Sequence, residues 1–274
     1  MQAVQFSLYH VRKQKGTGMD WLMADLSAPA FWAAMAVTLF AGFVKGVVGF
    51  AMPMVMISAF SSFLTPELAR AGLILPTLAT NLSQAFRQGW RPALASVVVY
   101  RRFLIGTVVF ILLSAQFVRI IPQDLFLLIL GVPITAFAAL QLMGRQLALR
   151  LEHRSRVEWA LGVIGGIYGG ISGVWGPPLL VYLLSIDADK QEVIRVQGVV
   201  FLIGAVVLTA AHLQSGVLNG STIPFSAALV VPAVAGLIVG YSIHDRLDQS
   251  RFRRWTQGLL VLTGVNLMRR AVGL

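Results

Sequence analysis

The sequence predicts an all-α fold: a polytopic bundle of transmembrane helices in two homologous halves, each containing a helix broken by glycine and proline. Three observations predict it. Long apolar runs fill most of the chain, charges collect between them, and one glycine–proline pattern occurs twice at the same spacing.

Hydrophobic residues make up 57% of the 274 positions and charged residues only 12%, about half the charge of a soluble domain. Apolar runs fall near 30–64, 68–86, 93–118, 125–143, 157–186, 193–212, 223–242 and 255–272. Most suit one helix of about 20 residues, the length that crosses a bilayer. The alternating short segments of a membrane β-barrel do not occur. The run 29–40 lies near the N-terminus, as a signal peptide would. Asp20 and Asp25 precede it, however, and it continues past Lys45 to Leu64, so it reads as the first retained membrane element. Residues 1–27 read as an N-terminal tail and interfacial segment.

The charges come next. A net charge of +11 would suit nucleic acid if it formed a basic patch. Here the arginines lie in short loops between apolar runs, where the positive-inside rule places them, so no nucleic-acid partner is expected. The segment 144–156 carries Arg145, Arg150, Arg154 and Arg156 against Glu152, and reads as a cytoplasmic linker. The loop 243–254 carries Arg246, Arg251, Arg253 and Arg254 against Asp245 and Asp248, and reads the same way. Two full spans, 193–212 and 223–242, separate these loops, so the long broken run 157–186 must make no net crossing. Each half then crosses an odd number of times, and inverted repeats are the expected arrangement. Eight spans with both termini inside is the rival topology. It stays open because inversion leaves Arg269 and Arg270 outside.

The repeat itself is an ordered set. Gly42, Gly46, Gly49 and Pro53 have the spacing of Gly166, Gly170, Gly173 and Pro177. About fourteen residues after each proline, an acidic residue precedes an arginine by three positions: Glu67 and Arg70, then Glu192 and Arg195. Gly106 and Gly236 fall in corresponding helices. The halves are read as 28–143 and 157–274.

A proline inside a helix has no N–H and clashes with the carbonyl four residues back. That carbonyl belongs to Gly49 in one half and Gly173 in the other. The pattern predicts a helix, a break, and a new half-helix starting at Pro53 or Pro177. Such a start presents N–H groups without intrahelical partners and a partial positive charge. In hydrocarbon these need a partner, and an anion is a natural one. Lys45, deep in an apolar run, adds a cation where charge is costly; its alternative is to snorkel to an interface. The competing reading of Gly42-xxx-Gly46 and Gly166-xxx-Gly170 is close helix packing.

The candidate substrate-binding residues are therefore Lys45, Gly46, Gly49, Pro53, Asn81, Gln84, Gly170, Ser172, Gly173, Trp175, Gly176, Pro177 and Gln197. Asn81 and Gln84 share a helix face. His212 reads as interfacial rather than as a proton relay, Arg70 and Arg195 as pairing with Glu67 and Glu192 or else as lining an entrance, and Arg101 and Arg102 as marking a boundary or turn. HExxH, Walker and GxSxG motifs do not occur, and the chain has no Cys. No enzyme activity, catalytic residue, cofactor or metal is expected, and no direct use of ATP.

The stretch Gly170-Ile171-Ser172-Gly173-Val174-Trp175-Gly176-Pro177-Pro178 resembles the second-half motif of the sulfite exporter (TauE/SafE) family of membrane permeases. Residues 42–53 look like its repeat partner, and the resemblance covers about 28–272. Phe50-Ala51-Met52 departs from the run of glycines that many members carry after the first break. The resemblance implies transport of sulfite, sulfonates or related anions, usually as export. Together these readings predict a secondary transporter of a small anion in the bacterial inner membrane. An anion channel and a non-transporting membrane scaffold are the alternatives. The expected partners are the anion and the lipid bilayer, with a homodimer left open.

Overall fold

A computed structural model describes residues 26–114, 123–144, 154–172 and 176–273. The helices in these segments are α1 (Ala28–Val48), α2 (Met52–Phe60), α3 (Pro66–Phe86), α4 (Trp90–Val99), α5 (Arg101–Ser114), α6 (Gln123–Leu142), α7 (Arg154–Ser172), α8 (Gly176–Ser185), α9 (Lys190–Gln214), α10 (Ile223–Arg246) and α11 (Gln249–Ala271). The N-terminal tail and most of the central linker lie outside the described residues.

Among the described residues, α1, α9 and α10 are each long and apolar enough to cross a bilayer, and α4 with α5 pass the same test as a pair bent by 75°. The bend falls at Tyr100, just before Arg101 and Arg102, where a turn was expected. The interior is mostly apolar, but so is much of the outer surface, and several polar side chains are fully buried. Val231 is 70% and Leu262 65% exposed, whereas Lys45, Gln84 and Gln197 are 1% or less. Apolar groups facing outward and polar groups packed inward suit a hydrocarbon solvent.

Two crossings hold the bundle through backbone contact. On α1, a Cβ at Gly42 or Gly46 would strike the α10 backbone at Ala233 or Leu237. On α10, one at Gly236 or Gly240 would strike Leu39 or Phe43. The second crossing repeats this between halves: Gly162 and Gly166 of α7 lie on Phe103, Gly106 and Thr107 of α5, and Gly106 lies on Gly162. The small-residue reading of these glycines therefore describes their packing. Thr107 Oγ1 also donates to Gly162 O at 3.2 Å, and Ser114 Oγ to Gly166 O at 3.2 Å. In both crossings the residue numbers rise together, so the paired helices run parallel.

The mates α3 and α9 pack against each other, as do α6 and α11. Gln84 reaches Ile194, Asn81 reaches Phe201, and Gly131 packs on Gly264 and Leu267 while Gln141 meets Gln257. The numbers run in opposite senses, so both mate pairs are antiparallel. The contact pattern is thus symmetric between the halves: α1 on α10 and α7 on α5, with α3 on α9 and α6 on α11.

Helix α2 doubles back after the break. Met52 lies beside Thr80, and Phe60 beside the Gly72 position, so α2 runs antiparallel to α3. Helix α8 returns along α7 likewise, with Pro178 near Gly165 and Tyr182 near Arg154. One end of the bundle, here called upper, carries Phe31, Gly72 and Phe225. The lower end carries the Arg87–Asp245 pair, Lys190 on the Leu247 carbonyl, and Arg253 with Asp187.

Candidate anion site

The first break spans 49–51. Helix α1 ends at Gly49 with φ +89°, and its N–H closes on Lys45 O at 2.6 Å. Ala51, the residue before α2, also takes a left-handed φ of 76°, rare without glycine, and has no side chain that can cap the new helix. Pro53 sits in the first turn of α2. Both half-helices begin one residue before the expected proline, at Met52 and Gly176. Pro177 and Pro178 remove two N–H donors from the α8 start, so α2 is the better donor of the two.

Gly49 O, the carbonyl expected to be freed, accepts from Gln84 Nε2 at 3.0 Å; the same nitrogen reaches Ile194 O at 2.8 Å. One buried amide thereby ties the break to α3 and α9. A Cβ on Gly49 would lie 2.6 Å from Gln197 Oε1. Gly49→Ala is expected to cost about 1–3 kcal/mol, from left-handed strain plus crowding, read as a lowered melting temperature in detergent.

Lys45 lies against this break and is 1% exposed. Its Nζ donates to Thr80 Oγ1 at 2.9 Å and to Asn81 Oδ1. Both acceptors are held in place. Thr80 Oγ1 gives its proton to Pro76 O at 2.7 Å, leaving its lone pairs for Lys45. Asn81 Nδ2 donates to Phe201 O at 3.0 Å, which turns Oδ1 toward the lysine. No carboxylate among the described residues pairs with Lys45. An ammonium has three donors, and the described residues engage two.

The first break and the start of α8 line one cavity of about 180 Å³. Phe50, Ala51 and Pro53 line it from the first break and the start of α2, Gly176 and Pro177 from the start of α8, with Lys45, Asn81 and Thr77 between them. The remaining wall is largely apolar: Met54, Leu73, Ile74, Phe201, Ala205 and Leu208. Arg70, which is exposed, and His212 line it at the upper end. Among the described residues the lining includes three basic side chains and no Asp or Glu.

The candidates thus divide. Lys45, Pro53, Asn81, Gly176 and Pro177 share the cavity. Gly46 packs against α10, and Gly49, Gln84 and Gln197 lie just below the cavity floor. Gly170 and Ser172 fall in the last turn of α7, where their surroundings are outside the described structure; so are Gly173 and Trp175 altogether. Arg70 and Arg195 do not pair with their glutamates among the described residues. Arg195 Nε donates to Ser96 Oγ at 2.8 Å and its guanidinium to Gln88, while Glu192 accepts from Tyr100 OH at 2.8 Å. The i,i+3 attraction is worth only a few tenths of a kcal/mol, so tertiary partners override it. His212, expected at an interface, lines the upper end of the cavity as well. Phe50 and Phe201 carried no signal, since apolar wall residues look like any lipid-facing or core residue.

Residues 34–267 match the family model described as Sulfite exporter TauE/SafE. No curated protein and no solved structure matches the chain.

Proposed function

The chain belongs to the sulfite exporter TauE/SafE family of membrane transporters, and from that premise we propose that it is a secondary carrier that exports a small sulfur-containing or organic anion across the bacterial inner membrane. The observation that carries this reading is Lys45: a buried cation without a carboxylate partner among the described residues, facing a cavity lined by the starts of both half-helices. A buried charge is stable only when something completes it. The anion takes the third Lys45 donor, and the partial positive charge at the α2 start adds to the attraction. Asn81 and Thr80 aim the lysine; Gly176 and Pro177 close the opposite wall.

Inverted repeats are supported by the antiparallel packing of α3 on α9 and α6 on α11. Because α2 and α8 double back, each broken segment makes no net crossing. The lower end carries the 243–254 loop and the start of α7 after the basic linker, so the positive-inside rule makes it cytoplasmic. The cavity then faces outward, toward Arg70 and His212. The membrane potential, negative inside, favours anion export through such a carrier.

The apolar wall favours a monoanion with a short organic body over inorganic sulfite. A sulfonate places its charged head at Lys45 and buries carbon against Phe50, Ile74 and Phe201, whereas bare sulfite gives up more hydration there. In proteoliposomes, radiolabelled ethanesulfonate flux should saturate, show counterflow, and be inhibited by longer sulfonates at lower concentration than by sulfite. Flux that is linear in concentration and shows no counterflow would indicate a channel. No flux of either anion would leave the scaffold reading.

A further inference from the structure

We propose that the anion's route from the cavity to the lower face runs between α3 and α9, that Gln84 and Gln197 form its closed gate, and that Arg195 receives the anion beyond it as Arg70 does at the upper mouth. The proposal rests on the anion reading of the cavity.

Gln84 is one turn below Asn81 on α3, and Gln197 one turn below Phe201 on α9, directly under the cavity floor. Both are fully buried. Gln84 bridges the route by donating to Gly49 O and Ile194 O. Its Oε1 has no partner among the described residues, and neither amide atom of Gln197 has one. Buried amides without partners are costly and rare in native proteins. They are intelligible where a second arrangement satisfies them. Opening the gap between α3 and α9 would supply it, by admitting water or the anion to the Gln197 amide.

About half a turn below Gln197 on α9, Arg195 is half-buried and held by Ser96 and by Gln88, which lies four residues beyond Gln84 and just past the end of α3. Arg195 is the repeat mate of Arg70, each following an acidic residue by three positions. Arg70 is exposed at the open mouth. The two mates thus occupy corresponding posts at opposite ends, Arg70 without a hydrogen-bond partner among the described residues and Arg195 tied down. Opening the lower side releases Gln84 from Gly49 and Arg195 from Gln88.

The natural chain has no Cys, so Gln197→Cys carries a unique thiol. Reconstituted in vesicles, it should react with a membrane-impermeant thiol reagent applied at the lower face, at least fivefold faster while ethanesulfonate is being carried. Gln191→Cys, exposed on the same helix, should react with and without the anion. Gln197→Leu should bind ethanesulfonate within threefold of wild type, carry it at least tenfold more slowly, and melt no earlier. If the wild type carries ethanesulfonate while Gln197→Cys never reacts, or if Gln197→Leu carries it at the wild-type rate, the gate is overturned and the cavity reading survives. A wild type that neither binds nor carries any sulfonate overturns the cavity reading and the gate with it.

Discussion

Lys45→Met should abolish saturable anion flux in proteoliposomes while the protein stays folded. Methionine keeps most of the side-chain volume but removes the charge and all three donors. Hydrogen bonds to a charged group are worth roughly 1.5–3 kcal/mol each. Losing one to the anion weakens binding about 10- to 150-fold, before the lost long-range attraction is counted. Stability should move the other way or not at all. Replacing a buried charge that has no carboxylate partner relieves its desolvation, although Thr80 and Asn81 each lose a donor. Flux and melting temperature measured on the same preparation separate the two effects. Wild-type flux in Lys45→Met would remove the lysine from the site, and a collapsed protein would make it structural.

Gly236→Val should prevent a monodisperse, folded protein from forming at all. A Cβ there would press on the Leu39 carbonyl and lie 2.8 Å from the Phe43 nitrogen. Both are α1 backbone atoms with no rotamer to change. Overpacking ordinarily costs about 1–3 kcal/mol, and a rigid backbone wall puts the cost at or above the upper end. Gly166→Val should do the same at the second crossing, where a Cβ would lie 2.6 Å from both Phe110 Cβ and the Thr107 carbonyl. Gly258→Ala, within α11 and with nothing within 4 Å of the new atom, should be neutral or gain up to about 1 kcal/mol. Size-exclusion profiles and melting curves distinguish the three. A folded Gly236→Val would mean that the α1–α10 contact is looser than described.

The broken helices were legible because proline and glycine act through local backbone chemistry, which sequence spacing records directly. Pro53 and Pro177 located both half-helix starts to within one residue. Lys45 was legible for a similar reason: a charge inside a long apolar run has no ordinary explanation. Asn81 was found by its polarity, but its partner Phe201 enters through a backbone carbonyl, which no residue name reveals. The i,i+3 pairing assigned to Arg195 failed because proximity along a helix predicts only what is left when nothing better lies across the groove. Ser96 and Gln88 come from elsewhere in the chain, and no pattern announced them. Gly42, Gly46, Gly166, Gly106 and Gly236 were visible as a repeated set, yet which helix each would touch is a tertiary fact. They turn out to join one half to the other.

That exchange has a consequence for assembly. Helix α1 rests its glycines on α10 and α7 rests its glycines on α5, so neither half contains the partner of its own first helix. Expressed alone, a half would present a bare, backbone-deep groove to lipid and could fill it only with a second molecule. Severing the peptide between 144 and 154 should therefore leave two fragments that find each other and reconstitute the whole. The connecting segment contributes local concentration, and the specificity of the match already resides in the complementary grooves.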